Sequence, residues 1–344
     1  MIKHNCEFMK EIGSEFYELQ ESLKAEHKDN IAYLLSGRTA LRFIIDDICV
    51  NQEVRTALLP SYCCESMILP FVQAGINVHF YDVYFDHIDY PYENDSDIVV
   101  LIDFFGYTIG ENSEIARCEK HAGKIIIYDS THKIDGNFEV ESFADYSFCS
   151  YRKWFYCNFA KAVKHNGAFC KQSNLYCNEH YISLRDEALY EKQKYISGNS
   201  NDKESYQRKF ALAEQMLDNE YIGFAGNPVS FDMDEIITKR QENAKYLISQ
   251  LITIPQINLW RKDVMQNDSP MFVPILLDPI IRDDLRRKLI CEKIYCPIHW
   301  PESPYHAKRN EWQAMELSLV CDQRYDITDM ERVVSVIKDF FEKY

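Results

Sequence analysis

The sequence lacks the cysteine and glycine motifs that mark the commonest metal and nucleotide sites. Its 344 residues include twelve cysteines, yet no two are spaced as C-x-x-C, and no two cysteine knuckles of the zinc type occur together. No G-x-G-x-x-G stretch is present, which argues against a nicotinamide-dinucleotide enzyme. The sequence therefore predicts no metal site, and the cysteines are expected to be packed, reduced thiols.

Basic residues are also scarce relative to acidic ones. Lysine and arginine total 38 against 54 aspartates and glutamates, a net charge of −16. A general nucleic-acid binder needs a basic surface to displace counterions, and an anionic membrane attracts basic segments, so we expect neither partner. No apolar run is long enough to span a bilayer, and residues 1–8 contain no apolar core of a secretory signal. We therefore expect a cytoplasmic protein.

The first part of the chain alternates regularly between helical and strand-like segments. Short continuous apolar runs indicate strands, and the segments between them carry apolar residues at helical spacing. This pattern is typical of a parallel sheet covered on both faces. The predicted strands are 56–60, 78–82, 97–105, 124–128 and 145–149, and the predicted helices are 39–50, 66–74 and 111–121.

The pattern changes after about residue 181. Long helical stretches dominate 181–251, and the remainder reads as strand, helix, strand and helix. We predict an α/β protein with a large domain, residues 1–250, which has a mixed, mostly parallel sheet and trailing helices, and a smaller C-terminal α/β domain, residues 251–344. The predicted C-terminal elements are 271–277, 282–292, 294–299 and 326–342.

The residues that follow the predicted strands are the first candidates for chemistry, because ligands of open parallel sheets bind at the carboxyl ends of the strands. Asp129 follows one strand, Ser150 and Lys153 follow another, and Ser36–Thr39 open a helix. Pyridoxal 5′-phosphate (PLP) needs a lysine for its Schiff base, a carboxylate beside its pyridine nitrogen, and amides and hydroxyls around its phosphate. These residues meet the three requirements in the chain order of fold-type I PLP enzymes.

Short motifs along nearly the whole chain resemble the DegT/StrS-type aminotransferases, a PLP-dependent family that mostly acts on keto-sugars of nucleotide sugars. Each motif is weak alone, but their number and order are specific. The motifs are Ser36-Gly-Arg-Thr-Ala-Leu41, Leu59-Pro-Ser-Tyr62, Phe104-Phe-Gly106, Asp129-Ser-Thr-His132, Ser150-Tyr-Arg-Lys153 and Cys321-Asp-Gln-Arg-Tyr325.

The resemblance implies a fold-type I PLP transferase and assigns roles to matching residues. Lys153 would be the catalytic lysine that carries the Schiff base and moves protons. Asp129 would keep the pyridine nitrogen protonated. The cofactor-binding residues implied are Gly37, Arg38, Thr39, Tyr62, Asp129, His132, Ser150 and Lys153.

The resemblance also implies the partners of the reaction. An amino acid donor, glutamate or glutamine, would pass its amino group to a keto acceptor, most plausibly a nucleotide-linked keto-sugar. Sites of this fold type usually form between two subunits, so a homodimer is implied. Two alternatives stay open: a different PLP reaction on the same scaffold, and a PLP-fold protein that binds or regulates without catalysis.

The sequence departs from the family pattern beside the proposed lysine. The commoner spacing from serine to lysine is five residues, whereas Ser150 and Lys153 are three apart, and the usual Gly-Gly pair after the lysine is absent. Cys64 stands where an aromatic side chain would stack on the cofactor, so Tyr62 or Phe104 would substitute for it.

Several candidates also fit ordinary structural roles. Asp129 could be a helix N-cap after a strand, and His132 could be a core histidine bonded to the backbone. Arg38 could pair with a phosphate or be a surface cation. His299 and Trp300, which lie between two prolines, would either line the mouth of a substrate site or close a turn.

Overall fold

The structure, a computed structural model, describes residues 10–18, 23–24, 28–170, 178–219, 229–301, 303–305 and 311–344. Residues 1–8, which contain no apolar core of a secretory signal, lie outside these ranges. Cys177 also lies outside them. The strands are β1 (Ile12–Gly13), β2 (Leu23–Lys24), β3 (Ile31–Leu34), β4 (Thr56–Pro60), β5 (Asn77–Val83), β6 (Ile88–Asp89), β7 (Ile98–Ile102), β8 (Ile125–Asp129), β9 (Tyr146–Ser150), β10 (Ala160–Lys164), β11 (Val229–Ser230), β12 (Asn258–Leu259), β13 (Phe272–Leu276), β14 (Ile294–Tyr295) and β15 (Glu316–Val320). The helices are α1 (Gly37–Asn51), α2 (Glu65–Gln73), α3 (Gly110–His121), α4 (Phe138–Glu141), α5 (Glu179–Ile196), α6 (Lys203–Asn219), α7 (Met233–Leu251), α8 (Pro279–Cys291) and α9 (Ile327–Phe341).

An eight-stranded sheet of order β3-β10-β9-β8-β7-β4-β5-β6 forms the centre of the first half. Its five middle strands run parallel, as predicted. Strands β7 and β8 are buried at every position, which requires cover on both faces. The strands β3, β10 and β6 were not predicted, and they add antiparallel pairs at the two ends of the sheet.

Helix α1 packs on one end of this sheet, against β3, β9 and β10, while α3 packs against β7 and β8. The buried side of α1 includes Leu41, Ile44, Ile45 and Ile48. Burial of each such side chain contributes about 1.5–3 kcal/mol, which fixes the start of α1 relative to the strand ends. None of the described helices combines the length and the apolar character that crossing a membrane would require.

A second sheet, the antiparallel β12-β13-β15, lies in the C-terminal part of the chain. Helices α8 and α9 pack against one another, and α8 also contacts β15. Helix α7 contacts β13 and α9, although it precedes the expected domain boundary at residue 250. That boundary stays a prediction.

Two C-terminal elements differ from the prediction. The strand expected over 294–299 is only two residues long, because Pro297 has no N–H to extend the pairing of β14 with β1. Strand β15 was not predicted, since Glu316 and Ser318 interrupt its apolar run. Both polar side chains are buried, and the Ser318 hydroxyl donates to a Glu316 carboxylate oxygen at 2.5 Å.

A close backbone contact joins the C-terminal sheet to the large sheet. The N–H groups of Ser269 and Met271 donate to the carbonyls of Gly106 and Phe105 at 2.8 and 2.7 Å. Gly106 has φ +88°, and a Cβ placed on it would lie 1.9 Å from the Ser269 oxygen. Only glycine can occupy this position.

Candidate active site

The N-terminus of α1 lies beside the end of β9. Ser36 caps the helix: its hydroxyl accepts from the Thr39 N–H at 3.3 Å, and the Thr39 hydroxyl accepts from the Ser36 N–H at 2.9 Å. The Thr39 hydroxyl is thus used within the cap. The N–H groups of Gly37 and Arg38 belong to the first turn and have no acceptor within the helix, which makes this helix end attractive to anions.

Ser150 places a hydroxyl next to that helix end. Its side chain is buried, and its Oγ makes no hydrogen bond with the described residues. A Cβ placed on Gly37 would lie 3.8 Å from this Oγ, so a side chain at residue 37 would fill the space between the helix end and the hydroxyl. An unpartnered buried hydroxyl destabilises a fold by about 1–3 kcal/mol, so its position suits the binding of an anion.

Asp129 is the last residue of β8 and is buried. One carboxylate oxygen accepts the Thr131 N–H at 2.8 Å. Burial raises the pKa of Asp129 to about 6, although the hydrogen bonds from Thr131 and the charge of Lys153 act in the opposite direction. A buried carboxylate of this kind is stabilised by a cationic partner, such as a protonated pyridine nitrogen.

Lys153 ends a short 3-10 helix, Tyr151–Lys153, that follows β9 directly. The next residue, Trp154, is fully buried and holds this turn in place. Its indole N–H donates to the Thr131 carbonyl at 2.7 Å, and its own carbonyl accepts from the Gln323 amide at 2.8 Å. The turn that carries Lys153 is therefore held by residues from both halves of the chain.

His132 is a neutral imidazole in this environment. Burial, together with the positive charge of Lys153, holds the pKa of His132 well below its usual range. The Phe105 N–H donates to its Nδ1 at 3.0 Å, so the ring proton is on Nε2. Its ring stacks on Trp300, with ring centroids 5.4 Å apart and planes at 25°.

These side chains surround one cavity of about 230 Å³. Six of the eight residues expected to bind the cofactor line it, namely Gly37, Arg38, Asp129, His132, Ser150 and Lys153. Cys64, Thr131 and Trp300 also line it. The structure thus brings together residues that are more than 100 positions apart in the sequence.

Tyr62 and Phe104 do not line this cavity. Tyr62 is fully buried, and its hydroxyl donates to the His299 carbonyl at 2.9 Å. The two rings pack against each other, with centroids 5.3 Å apart. Cys64 and Trp300 are the side chains found at the cavity wall instead.

Arg38 lines the cavity but already has acidic partners. Its guanidinium pairs with Glu214 at 2.7 Å and with Asp218, both on α6. Glu214 also pairs with Arg152 at 3.1 Å. Burial opposes ionisation of Glu214, yet the two guanidiniums hold its pKa down to about 2. A role of Arg38 towards a phosphate therefore stays a prediction.

Asp103, which follows β7, has a structural role. It is completely buried, and its carboxylate accepts hydrogen bonds of 2.9–3.0 Å from Tyr128, Asn137, Asn112 and the Ile109 N–H. Four neutral donors satisfy the carboxylate, so it holds the end of β8 rather than facing the cavity.

Sequence reasoning missed the residues that support the lysine turn. Gln323 lies 169 positions from Trp154, and no local spacing pattern links them. Trp300, which the sequence places either at the mouth of a substrate site or in a turn, lines the cavity. A signal for Gln323 was available only as part of the motif Cys321-Asp-Gln-Arg-Tyr325, whose role the sequence did not reveal.

No family model matches this sequence, and no curated protein matches it. Solved structures do match its fold. PseC from Helicobacter pylori, an aminotransferase involved in the biosynthesis of pseudoaminic acid, superimposes with a TM-score of 0.67 and 13% identity over 97% of this chain and 100% of that chain. A DegT DnrJ EryC1 StrS aminotransferase from Brucella abortus gives a TM-score of 0.60 and 14% identity over 92% of this chain and 86% of that chain. DesI, determined in the presence of its TDP-sugar product, gives a TM-score of 0.59 and 12% identity over 89% of this chain and 79% of that chain.

The chain therefore has the fold of these aminotransferases, the fold-type I architecture that the resemblance implied. At these identities the likeness establishes the fold.

Proposed function

We propose that this protein is a PLP-dependent aminotransferase of the DegT/StrS type. One observation carries the proposal: Lys153, Asp129 and the helix end at Gly37 with the Ser150 hydroxyl converge on a single cavity of about 230 Å³. A lysine, a buried carboxylate and an anion site are the three groups that PLP requires.

The residues fit the cofactor group by group. The N–H groups of Gly37 and Arg38 and the unpartnered Ser150 hydroxyl would hold the phosphate. Asp129, whose pKa is raised by burial, would pair with the protonated pyridine nitrogen. When bound, PLP supplies an electron sink for the charge that develops on the carbon losing its proton.

Lys153 has two tasks in this proposal. Its Nζ would hold the cofactor covalently until an amino-acid donor takes its place, and the freed amine would then carry the proton from the donor's α-carbon to the cofactor, acting first as base and then as acid. Trp154 and its partners hold the lysine turn for both tasks. His132, neutral and protonated on Nε2, offers one N–H donor to the same cavity.

The substrates follow from the same family resemblance. The donor would be glutamate or glutamine, and the acceptor a keto-sugar linked to a nucleotide. DesI, whose fold this chain shares, was determined with a TDP-sugar product, which supports the acceptor class. The enzyme would follow ping-pong kinetics: the first half-reaction takes the amino group from the donor, and the second half-reaction passes it to the acceptor.

The proposal is tested by adding PLP to the purified protein and measuring visible absorbance. We expect a band that borohydride bleaches, with the cofactor then attached to the peptide containing Lys153. L-Glutamate should convert the band, and 2-oxoglutarate should restore it. Lys153→Ala should abolish both events, whereas Lys161→Ala on β10 should preserve them.

The outcomes separate the candidates. A protein that forms no band with PLP is not a PLP enzyme. A protein that forms the band at Lys153 but never exchanges amino groups with any amino donor is one of the two alternatives, an enzyme of a different PLP reaction or a non-catalytic PLP-fold protein.

We also infer a cytoplasmic homodimer. The resemblance supports the dimer, and the reduced state of the described cysteines supports a reducing compartment, since none of them forms a disulfide. Light scattering on the eluting protein should give twice the chain mass of 40.6 kDa, or 81.2 kDa. A mass of one chain would refute the dimer.

A further inference from the structure

The cavity proposed for the cofactor contains two guanidinium groups that acidic side chains already neutralise. Arg38 and Arg152 line this cavity together with Gly37, Ser150 and Lys153. Arg38 lies in the first turn of α1, and Arg152 directly precedes Lys153 in the 3-10 turn after β9. A Cβ placed on Gly37 would lie 3.4 Å from the Cβ of Ser150. Each arginine is therefore within two residues of the point where α1 and β9 meet, which is the proposed phosphate site.

Both guanidiniums are paired with acidic side chains of α6. One carboxylate oxygen of Glu214 accepts from Arg38 Nη2 at 2.7 Å, and the other accepts from Arg152 Nη1 at 3.1 Å. Asp218, one turn further along α6, also pairs with Arg38. Two acids therefore balance two cations. Among the described residues of the cavity wall, Lys153 is the remaining lysine or arginine.

This pairing opposes the binding of a phosphate in the cavity. A guanidinium binds phosphate strongly because it combines a positive charge with a planar set of N–H donors. The carboxylate of Glu214 already takes donors from both guanidiniums, and its negative charge would repel a phosphate nearby. Burial opposes ionisation of Glu214, yet the two guanidiniums hold its pKa down to about 2, so the carboxylate is charged at neutral pH.

Neutral groups are then left to hold the phosphate. The N–H groups of Gly37 and Arg38 and the hydroxyl of Ser150 carry no net charge. Hydrogen bonds of this kind are roughly half as strong as those from a charged donor. A phosphate held by them is bound more weakly than one held by two free guanidiniums. Covalent attachment to Lys153 would compensate for this, but the aminated cofactor, pyridoxamine 5′-phosphate (PMP), has no such bond.

We propose that Glu214 lowers the affinity of this cavity for the cofactor's phosphate, so that PMP leaves the enzyme after the donor half-reaction unless an acceptor arrives first. This inference rests on the proposed function and names the residue that decides how long the enzyme keeps its aminated cofactor. Glu214 does not line the cavity. It is a positioning residue in this role, because it acts on the phosphate through Arg38 and Arg152.

The test compares the wild type with Glu214→Gln, both freed of cofactor, in their binding of PMP and of pyridoxamine, which differ only by the phosphate. Quenching of tryptophan fluorescence reports binding, since Trp300 lines the cavity. We expect PMP to bind Glu214→Gln on the order of tenfold more tightly, because the amide keeps the shape of the side chain and removes its negative charge. The affinity for pyridoxamine should not change. Damage to the fold would weaken the binding of both ligands and could not produce this result.

A second ion pair of the same two helices provides the control. Glu187 on α5 pairs with Lys209 on α6 at 2.8 Å, and neither residue lines the cavity. Glu187→Gln removes the same charge from the chain, so both ligands should bind it as they bind the wild type. Inorganic phosphate gives an independent measure, because its inhibition constant against PMP should be lower in Glu214→Gln than in the wild type.

The loaded enzyme provides a second readout. Wild type and Glu214→Gln, each carrying PLP, are mixed with L-glutamate and passed through a desalting column. We expect PMP to separate from the wild type and to stay with Glu214→Gln, as measured by the absorbance of the protein fraction. Equal retention of PMP by the two proteins would overturn the inference.

Three further outcomes decide the question. Equal or weaker binding of PMP by Glu214→Gln, with pyridoxamine unchanged, overturns this inference and leaves the proposed function intact. If both ligands bind more weakly, α6 has moved, and Asp218→Asn decides instead: this variant removes the other acid from Arg38 and must bind PMP more tightly than the wild type, or the inference is wrong. If the wild type forms no band with PLP, the proposed function fails and this inference fails with it.

Discussion

At the scale of single residues, the site contains buried polar groups that the fold itself does not need. Asp129 and Ser150 are each buried, and each has incomplete or mismatched partners within the described chain. Groups of this kind lower stability and are retained where binding uses them. Both of them line the cavity that Lys153 also lines.

Asp129→Asn tests this trade-off. Burial raises the pKa of Asp129 from 3.8 to about 6, so between these pH values the folded chain keeps a proton that the unfolded chain has released. The wild type without cofactor therefore loses stability as the pH rises from about 4 to about 6, by about 3 kcal/mol in all. We expect Asp129→Asn to be more stable than the wild type at pH 8 and to lose this advantage at pH 4.

Urea unfolding at the two pH values measures the difference. The same variant should transaminate on the order of 100-fold more slowly, because a neutral amide no longer stabilises the protonated pyridine. A variant that is less stable than the wild type at pH 8 would contradict the assignment of a raised pKa to Asp129.

At the scale of elements, the start of α1 and the end of β9 act as one unit. The capping box of Ser36 and Thr39 sets where α1 begins, and this places Gly37 beside Ser150. Alanine at residue 37 would stabilise the helix more than glycine does, but its methyl group would occupy the space next to the Ser150 hydroxyl.

We expect Gly37→Ala to bind PLP at least about tenfold more weakly, because its methyl group lies where the phosphate would meet the helix end. The free energy of unfolding should change by less than about 1 kcal/mol, or rise slightly, since alanine is the better helix residue. Gly110→Ala is the matched control: Gly110 begins α3 and a Cβ there meets nothing within 4 Å. Titration of absorbance with PLP gives the affinities, and equal affinity in both variants would refute the phosphate site at Gly37.

At the scale of the whole molecule, one glycine connects the two sheets. Gly106 allows the Phe104–Gly106 turn to accept hydrogen bonds from the segment just before β13, and the Phe105 N–H of the same turn donates to His132. A change at Gly106 therefore reaches both the C-terminal sheet and the cavity.

We expect Gly106→Ala to lower the free energy of unfolding by at least about 3 kcal/mol, because its Cβ would collide with the backbone of Ser269 while the residue is held at positive φ. Gly123→Ala shares the positive φ of +83° but meets nothing within 4 Å, so it should cost only about 1 kcal/mol. Urea denaturation of both variants compares the two effects. A similar loss in both would show that the contact with Ser269 is unimportant.

The parallel core was predictable because three of its strands, β4, β7 and β8, carry nearly unbroken apolar runs. The bounds predicted for two strands, 56–60 and 124–128, differ from those in the structure by one residue at most. Strand β15 could not be found in this way, since Glu316 and Ser318 are buried through bonds to each other and to His299. Its burial depends on partners that a local pattern does not contain.

The same limit applies to the candidate site. Lys153, Asp129 and Ser150 could be named in advance because each follows a strand, and parallel strands end at one edge of a sheet. The prediction for Tyr62 follows from its position along the chain, whereas in the structure its hydroxyl donates to the His299 carbonyl and the residue does not line the cavity. Chain position does not specify which way a side chain points.

By itself, the sequence determined the order of the elements, the parallel sheet and the line of polar residues at the strand ends, because these follow from local periodicity. The tertiary structure decided what surrounds Lys153: the stacking of Trp300 on His132, the hold of Gln323 on Trp154 and the pairing of Glu214 with Arg38. These contacts join residues separated by 168 to 176 positions, and only packing brings them within the few ångströms over which hydrogen bonds and buried charges act.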